Sequence, residues 1–268
     1  MRLLGGVLLL LLTGGAAAAE LPAPGPAASI GAAAHGCLQG AAALPQIGPS
    51  WQVLRPAQNR FWGMPVLVSV IEEQAARIAP FGQLLIGDMS LPRGGRMPSG
   101  HASHQTGLDA DILFRLADHR LSEEERDNPD FTGVVEEGRI LPDLWGPAQR
   151  AMLKNFAEDL RVDRIFVNPA IKRHLCRTEK TDRAWLHRLR PWWGHNAHFH
   201  IRLACQTGDT ACESSPPIPE GEGCGADLDW WFTPEASAPA PAAPRPSGLP
   251  PRFTPLTPAA CKGILPGE

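Results

Sequence analysis

Two short segments of the chain alternate polar and apolar residues with a period of two. In Leu108-Asp109-Ala110-Asp111-Ile112 both carboxylates fall on one side of an extended backbone, opposite the apolar residues. In His198-Phe199-His200-Ile201-Arg202-Leu203 both imidazoles point one way, while Phe199, Ile201 and Leu203 point the other. Each segment therefore reads as a strand with a core-facing apolar row and a chemically active face. Pairing the two strands would bring nitrogen and oxygen ligands together, which suits zinc. Catalytic zinc takes three His or carboxylate ligands and keeps a fourth position for water.

Histidine clusters around these strands. Five of the nine lie in two groups: His101 and His104, then His195, His198 and His200. His104 and Asp111 are seven residues apart, and Gln105-Thr106-Gly107 supplies the turn they need. Other chemistries fail on detail. The chain has no His-Glu-x-x-His helix, no Gly-x-Ser-x-Gly elbow, and neither a phosphate-binding P-loop nor a dinucleotide fingerprint. Ser99 and Ser103 lie near histidines, but nothing marks either as activated. Asp88 lacks an evident partner for a glycosidase pair.

The 268 residues suffice for one large domain, and 43% apolar against 20% charged residues supports a packed core. The net charge of −3, with no basic block, argues against nucleic acid as a partner. Arg2, an apolar run over 3–12 and Ala17-Ala18-Ala19 read as an export signal spanning 1–19, cleaved before Glu20. That run is too short to span a bilayer, which needs roughly 20 residues, so no stable membrane insertion is expected after cleavage. The six cysteines agree with an oxidising compartment and three disulfides, with 15 pairings open at this point.

Residues 20–50 are rich in Ala, Pro and Gly and read as an arm leading into the fold. Residues 52–79 contain a helical stripe of Val66, Leu67, Val70, Ile71, Ala75 and Ile78, stopped by Pro80. Strands are expected over 83–88, 108–116, 164–168 and 197–204. A helix is expected over 145–160, and one or two helical turns over 170–176. The irregular mixture favours an α+β fold with a central antiparallel sheet. Residues 20–233 form the domain. The tail, 234–268, carries nine prolines between 234 and 258, a stretch expected to run extended.

The segment Gly100-His101-Ala102-Ser103-His104-Gln105-Thr106-Gly107-Leu108-Asp109-Ala110-Asp111-Ile112 closely resembles the signature of the penicillin-insensitive murein endopeptidases. Leu85-Ile86-Gly87-Asp88-Met89 is similar to the same family, as are Arg164 to Lys172 and Arg190-Pro191-Trp192-Trp193 running on into His198-Phe199-His200. The resemblance implies a periplasmic zinc peptidase that cuts the D-Ala to meso-diaminopimelate cross-link of peptidoglycan. It implies His104, Asp111 and His200 as zinc ligands, with His101 also associated with metal. It places His198 as base or transition-state stabiliser and His195 as a further active-site histidine. It pairs Cys37 with Cys261, tying the tail back, Cys176 with Cys224, and Cys205 with Cys212. Some relatives hold a second metal between the two motifs. Glu136-Glu137-Gly138-Arg139 lacks the histidine for it, so no second metal is expected there. A zinc D,D-carboxypeptidase or amidase acting on the same wall is the first rival. A non-catalytic wall-binding module is the second, and its expected sign, a lost ligand, is missing.

Overall fold

The computed structural model describes residues 21–98, 101–237 and 258–265. The segment read as an export signal and most of the proline-rich stretch lie outside the described residues. The strands are β1 (Ala28–Ala32), β2 (His35–Gln39), β3 (Ala42–Ala43), β4 (Trp51–Val53), β5 (Trp62–Gly63), β6 (Gln83–Ile86), β7 (Asp109–Ala117), β8 (Val135–Glu136), β9 (Arg139–Ile140), β10 (Val162–Val167), β11 (Leu189–Pro191) and β12 (His198–Leu203). The helices are α1 (Pro65–Ile78), α2 (Glu123–Asp127), α3 (Pro147–Glu158), α4 (Pro169–Thr178), α5 (Ala226–Trp230) and α6 (Pro234–Ser237).

The fold is α+β around one six-stranded sheet, ordered β11-β10-β12-β7-β6-β4. The inner pairs are antiparallel, as expected, but β4–β6 and β10–β11 at the two edges are parallel. Helix α1 follows β4 and α4 follows β10, and each returns the chain to the same end of the sheet, which parallel pairing requires.

One face of the sheet is the core. Ala110, Ile112 and Phe114 of β7 and Phe199 and Ile201 of β12 are fully buried there. Leu67, Val70 and Ile71 of α1 and Met152, Leu153 and Phe156 of α3 cover them. The Phe199 ring packs between Phe114 and Phe156, at 5.3 and 5.6 Å. Burying a side chain of this size contributes about 1.5–3 kcal/mol, so this layer fixes the sheet. The opposite face carries Asp109, Asp111, His198, His200 and Arg202.

The segment read as an arm is part of the body. Strands β1 and β2 form an antiparallel hairpin, and Ile30 and Cys37 pack against Cys261. Small-residue composition suggested a spacer, yet Ile30, Cys37 and Leu38 supply enough apolar surface to anchor the hairpin. All three disulfides, Cys37–Cys261, Cys176–Cys224 and Cys205–Cys212, are formed. The first of them links the two ends of the described chain. The proline-rich stretch begins with the short helix α6 rather than extended backbone, since a proline is tolerated in a helix's first turn.

Candidate metal centre

The pairing of β7 with β12 builds the site. Its register sets His200 opposite Asp111 and Arg202 opposite Asp109. Across the next strand pair Phe166 stands opposite His200, so Phe166, His200 and Asp111 form a row across three strands. The Phe166 ring meets His200 edge-on at 5.2 Å and shields its flank.

His104 reaches this row from the loop before β7. Its backbone is left-handed, with φ 68°, a region non-glycine residues rarely occupy. Two bonds hold it there. Its N–H donates to Asp109 Oδ2 at 3.2 Å, and its ring Nδ1 donates to the Met89 carbonyl at 2.8 Å. In the same loop, Gly107 sits where glycine is favoured, because its left-handed φ of 74° strains any L side chain and a Cβ would also lie 3.0 Å from the Met64 backbone nitrogen.

With Nδ1 engaged, His104 turns Nε2 toward Asp111 Oδ1, at 3.4 Å. Both atoms are buried and neither has a hydrogen-bond partner among the described residues. A buried polar atom without a partner costs about 1–3 kcal/mol. Two such atoms facing each other form a donor set suited to a cation. His200 Nδ1 points to the same Asp111 Oδ1 at 3.5 Å. His101 Nε2 lies 3.3 Å from Asp111 Oδ2, on the more exposed side. The ligand atoms of His101, His104 and Asp111 all lie within 4.8 Å of one another. The sequence-expected metal residues His101, His104, Asp111 and His200 are therefore brought together; the first three form a group that could hold a metal ion, and His200 adjoins it through Asp111.

Neighbouring charges keep the two carboxylates ionised. Burial opposes ionisation of Asp111, but the His104, His101 and His198 rings override it and hold its pKa well below the usual range. Asp109 is fully buried. Burial opposes its charge too, yet Arg202 and His200 hold its pKa far below normal. Burial, then the nearby His104, lowers the pKa of His200, which favours the neutral ring a metal needs.

His198 and His195 lie beside the donor set. His198 Nε2 is 3.7 Å from Asp111 Oδ1, with its side chain 30% exposed. The His195 ring lies 4.9 Å from His198 and donates Nδ1–H to the Trp193 carbonyl at 2.8 Å. Burial, followed by His198, pushes the His195 pKa down to about 4. It is neutral at neutral pH.

Three supports were not legible as such. Asp109 shares a face with Asp111 but binds His200 and Arg202, at 2.7 and 2.6 Å. Asp88 is no glycosidase carboxylate. It is buried between Arg55 and Arg60, each at 3.0 Å, with His101 Nε2 at 3.5 Å. The Met89 carbonyl, which orients His104, leaves no sequence signal, since any residue carries one. Glu137, in the segment without the second-metal histidine, accepts from Arg139 at 3.1 Å on the exposed β8–β9 hairpin.

Two histidines from the loop before β7, with a histidine and a carboxylate from the paired strands and two further histidines beside them, form a candidate centre of the kind metal-dependent hydrolases use. The family described as penicillin-insensitive murein endopeptidase matches residues 29–266. Relatives of that name are 43% identical over 250 residues in Klebsiella pneumoniae (91% of this chain, 88% of the relative) and 42% over 247 residues in Haemophilus influenzae (90% and 83%). One from Escherichia coli O6:K15:H31 is 42% identical over 248 residues (91% and 88%). The chain belongs to this family.

Proposed function

We propose that this chain is a zinc-dependent murein endopeptidase of the periplasm, hydrolysing the D-Ala–meso-diaminopimelate cross-link between stem peptides. The observation that carries the reading is the pair of buried, unpartnered atoms, His104 Nε2 and Asp111 Oδ1, with His200 Nδ1 aimed at the same point.

His104, Asp111 and His200 would hold the ion, with His101 beside them on the more exposed side. When bound, zinc polarises the scissile carbonyl and lowers the pKa of a coordinated water to about 7. Everything else falls to the chain. Asp109 locks the His200 ring by accepting its Nε2–H, so that Nδ1 faces Asp111 Oδ1 and is free to take a metal. His198, beside Asp111 and open to solvent, takes the proton from the attacking water and returns it to the leaving amine. His195, neutral and fixed by the Trp193 carbonyl, packs on His198 and limits its rotamers. Phe166 excludes water from the His200 side. No acyl-enzyme forms, so a β-lactam, which traps a serine nucleophile, leaves turnover intact.

The test uses purified dimeric, cross-linked muropeptides. Expected is release of monomers, abolished by chelation and restored by one equivalent of zinc. Release of free D-Ala without monomers would transfer the reading to a carboxypeptidase. Full activity after removal of all metal would overturn it.

A further inference from the structure

Four of the eight tryptophans form one cluster beside the metal centre. Trp192 and Trp193 follow β11, while Trp230 ends α5 and Trp231 follows it. Their ring centroids are 5.2 Å apart for Trp192–Trp193, 4.6 Å for Trp193–Trp231 and 5.2 Å for Trp230–Trp231. Trp192, Trp193 and Trp230 are 46%, 41% and 44% exposed. Three large rings left half in water, touching one another, mark a surface that meets a partner.

The cluster is built and fixed. Trp193 donates its indole N–H to the Ala236 carbonyl at 2.8 Å. The Cys176–Cys224 disulfide fastens the start of the second segment to α4, and Arg173 of α4 stacks on Phe232 at 3.5 Å. Two segments distant in sequence are thus held as one platform. It is also continuous with the site: Trp192 contacts Phe166 at 5.7 Å, and Phe166 contacts His200 at 5.2 Å.

We infer that this tryptophan platform binds the sugar strand of the substrate, stacking on the C–H faces of its N-acetylhexosamine rings. The inference rests on the murein reading above, in which the scissile amide hangs from glycan by a short peptide. An extended peptide of three or four residues spans about 10–14 Å. Two ring contacts, of 5.2 and 5.7 Å, connect His200 through Phe166 to Trp192, placing the near edge of the platform within that reach. Flat indole faces suit pyranose rings, and an edge N–H adds a donor for acetamido oxygens. Exposed Asp227 and Asp229 on α5 repel an anionic lipid surface but not a neutral sugar.

The experiment has two independent arms. In the first, a neutral peptide-free glycan, chitohexaose (β-1,4-linked N-acetylglucosamine), is titrated into the protein and read by tryptophan fluorescence. Wild type is expected to show saturable quenching or blue shift, Trp230→Ala at least tenfold weaker binding, and Trp230→Phe partial recovery. Retained zinc content and near-ultraviolet circular dichroism show that the variant is folded. In the second arm, kcat/KM is compared for cross-linked dimers with and without their sugars. Trp230→Ala is expected to lower the ratio of the two values about tenfold. No binding of peptide-free glycan to wild type would overturn the inference, as would equal binding by Trp230→Ala. A concentration-dependent dimer of wild type that Trp230→Ala abolishes would also overturn it, by making the platform a self-association surface. The first arm involves no cleavage, so its result stands even if the cross-link assay fails.

Discussion

Asp109 Oδ1 accepts the Nε2–H of His200 at 2.7 Å and, at the same oxygen, Nε–H of Arg202 at 2.6 Å. Its other oxygen takes the His104 backbone N–H. One buried carboxylate thus orients two of the histidines of the metal centre without facing the metal position itself. Asp109→Asn is expected to weaken zinc binding by about 10–100-fold, the usual effect of losing a carboxylate behind a ligating histidine. Competition against a chromophoric chelator measures it. An unchanged Kd would show that the carboxylate is dispensable for His200.

Loss of a ligand should be more severe. His104→Ala and His200→Ala are each expected to purify without stoichiometric metal, because the incomplete donor set holds zinc poorly. Elemental analysis of the purified variants decides the matter. Full zinc occupancy in either would refute the ligand set.

His198→Ala separates proton transfer from metal binding. His198 lies on the same strand face as His200, yet its nearest approach to the donor set is 3.7 Å, to Asp111 Oδ1. The variant should keep its zinc and lose roughly 10²–10⁴ in turnover. Wild-type turnover, or loss of the metal, would show that the two histidines have been exchanged.

The Cys37–Cys261 disulfide closes a loop with a sequence separation of 224 and buries both cysteines completely. Constraining the unfolded chain this way stabilises by up to about 5 kcal/mol. The double Cys→Ser variant should melt at lower temperature with zinc content unchanged, and limited proteolysis should clip the tail first. An unaltered melting temperature would contradict this. Non-reducing peptide maps must also show the Cys37 peptide linked to the Cys261 peptide.

A pH dependence arises away from the candidate metal centre. Lys172 of α4 is fully buried, and its amine donates to the Leu186 and Glu222 carbonyls, two acceptors that a neutral amine satisfies. Burial, then Arg190, pushes its pKa down to about 7. The folded state disfavours the ammonium form, so the penalty is full below pH 7. It fades as pH rises toward 10.5, where the unfolded lysine also loses its proton. Relative to wild type, Lys172→Met should therefore be more stable at pH 6 than at pH 9, by about 2–3 kcal/mol. Chemical denaturation at the two pH values measures the difference. A gap independent of pH would show that Lys172 stays charged in the fold.

Much of the fold was legible because its signals are local. The α1 stripe of Leu67, Val70, Ile71, Ala75 and Ile78 is the buried face of that helix, and the two alternating strands run side by side at the centre of the sheet. Period-two alternation follows from backbone geometry alone, so the shared face of Asp109 and Asp111, and of His198 and His200, needed no tertiary knowledge. The arm misled because alanine-rich composition says nothing of the hairpin partner that buries it.

Register, by contrast, is a property of two strands together. Asp109 and Asp111 were equivalent in the alternating pattern. Pairing His200 with Asp111 and Arg202 with Asp109 sets one carboxylate against the His104 ring and the other against a guanidinium. The Met89 carbonyl behind His104, the Arg55 and Arg60 clamp on Asp88, and the joining of Trp192 and Trp193 with Trp230 and Trp231 are likewise contacts between distant segments. The sequence alone determined which residue types share a face, because that depends on dihedral angles residue by residue. Only the packed structure decided which of them meet, because hydrogen-bond register and loop closure are set by the whole core at once.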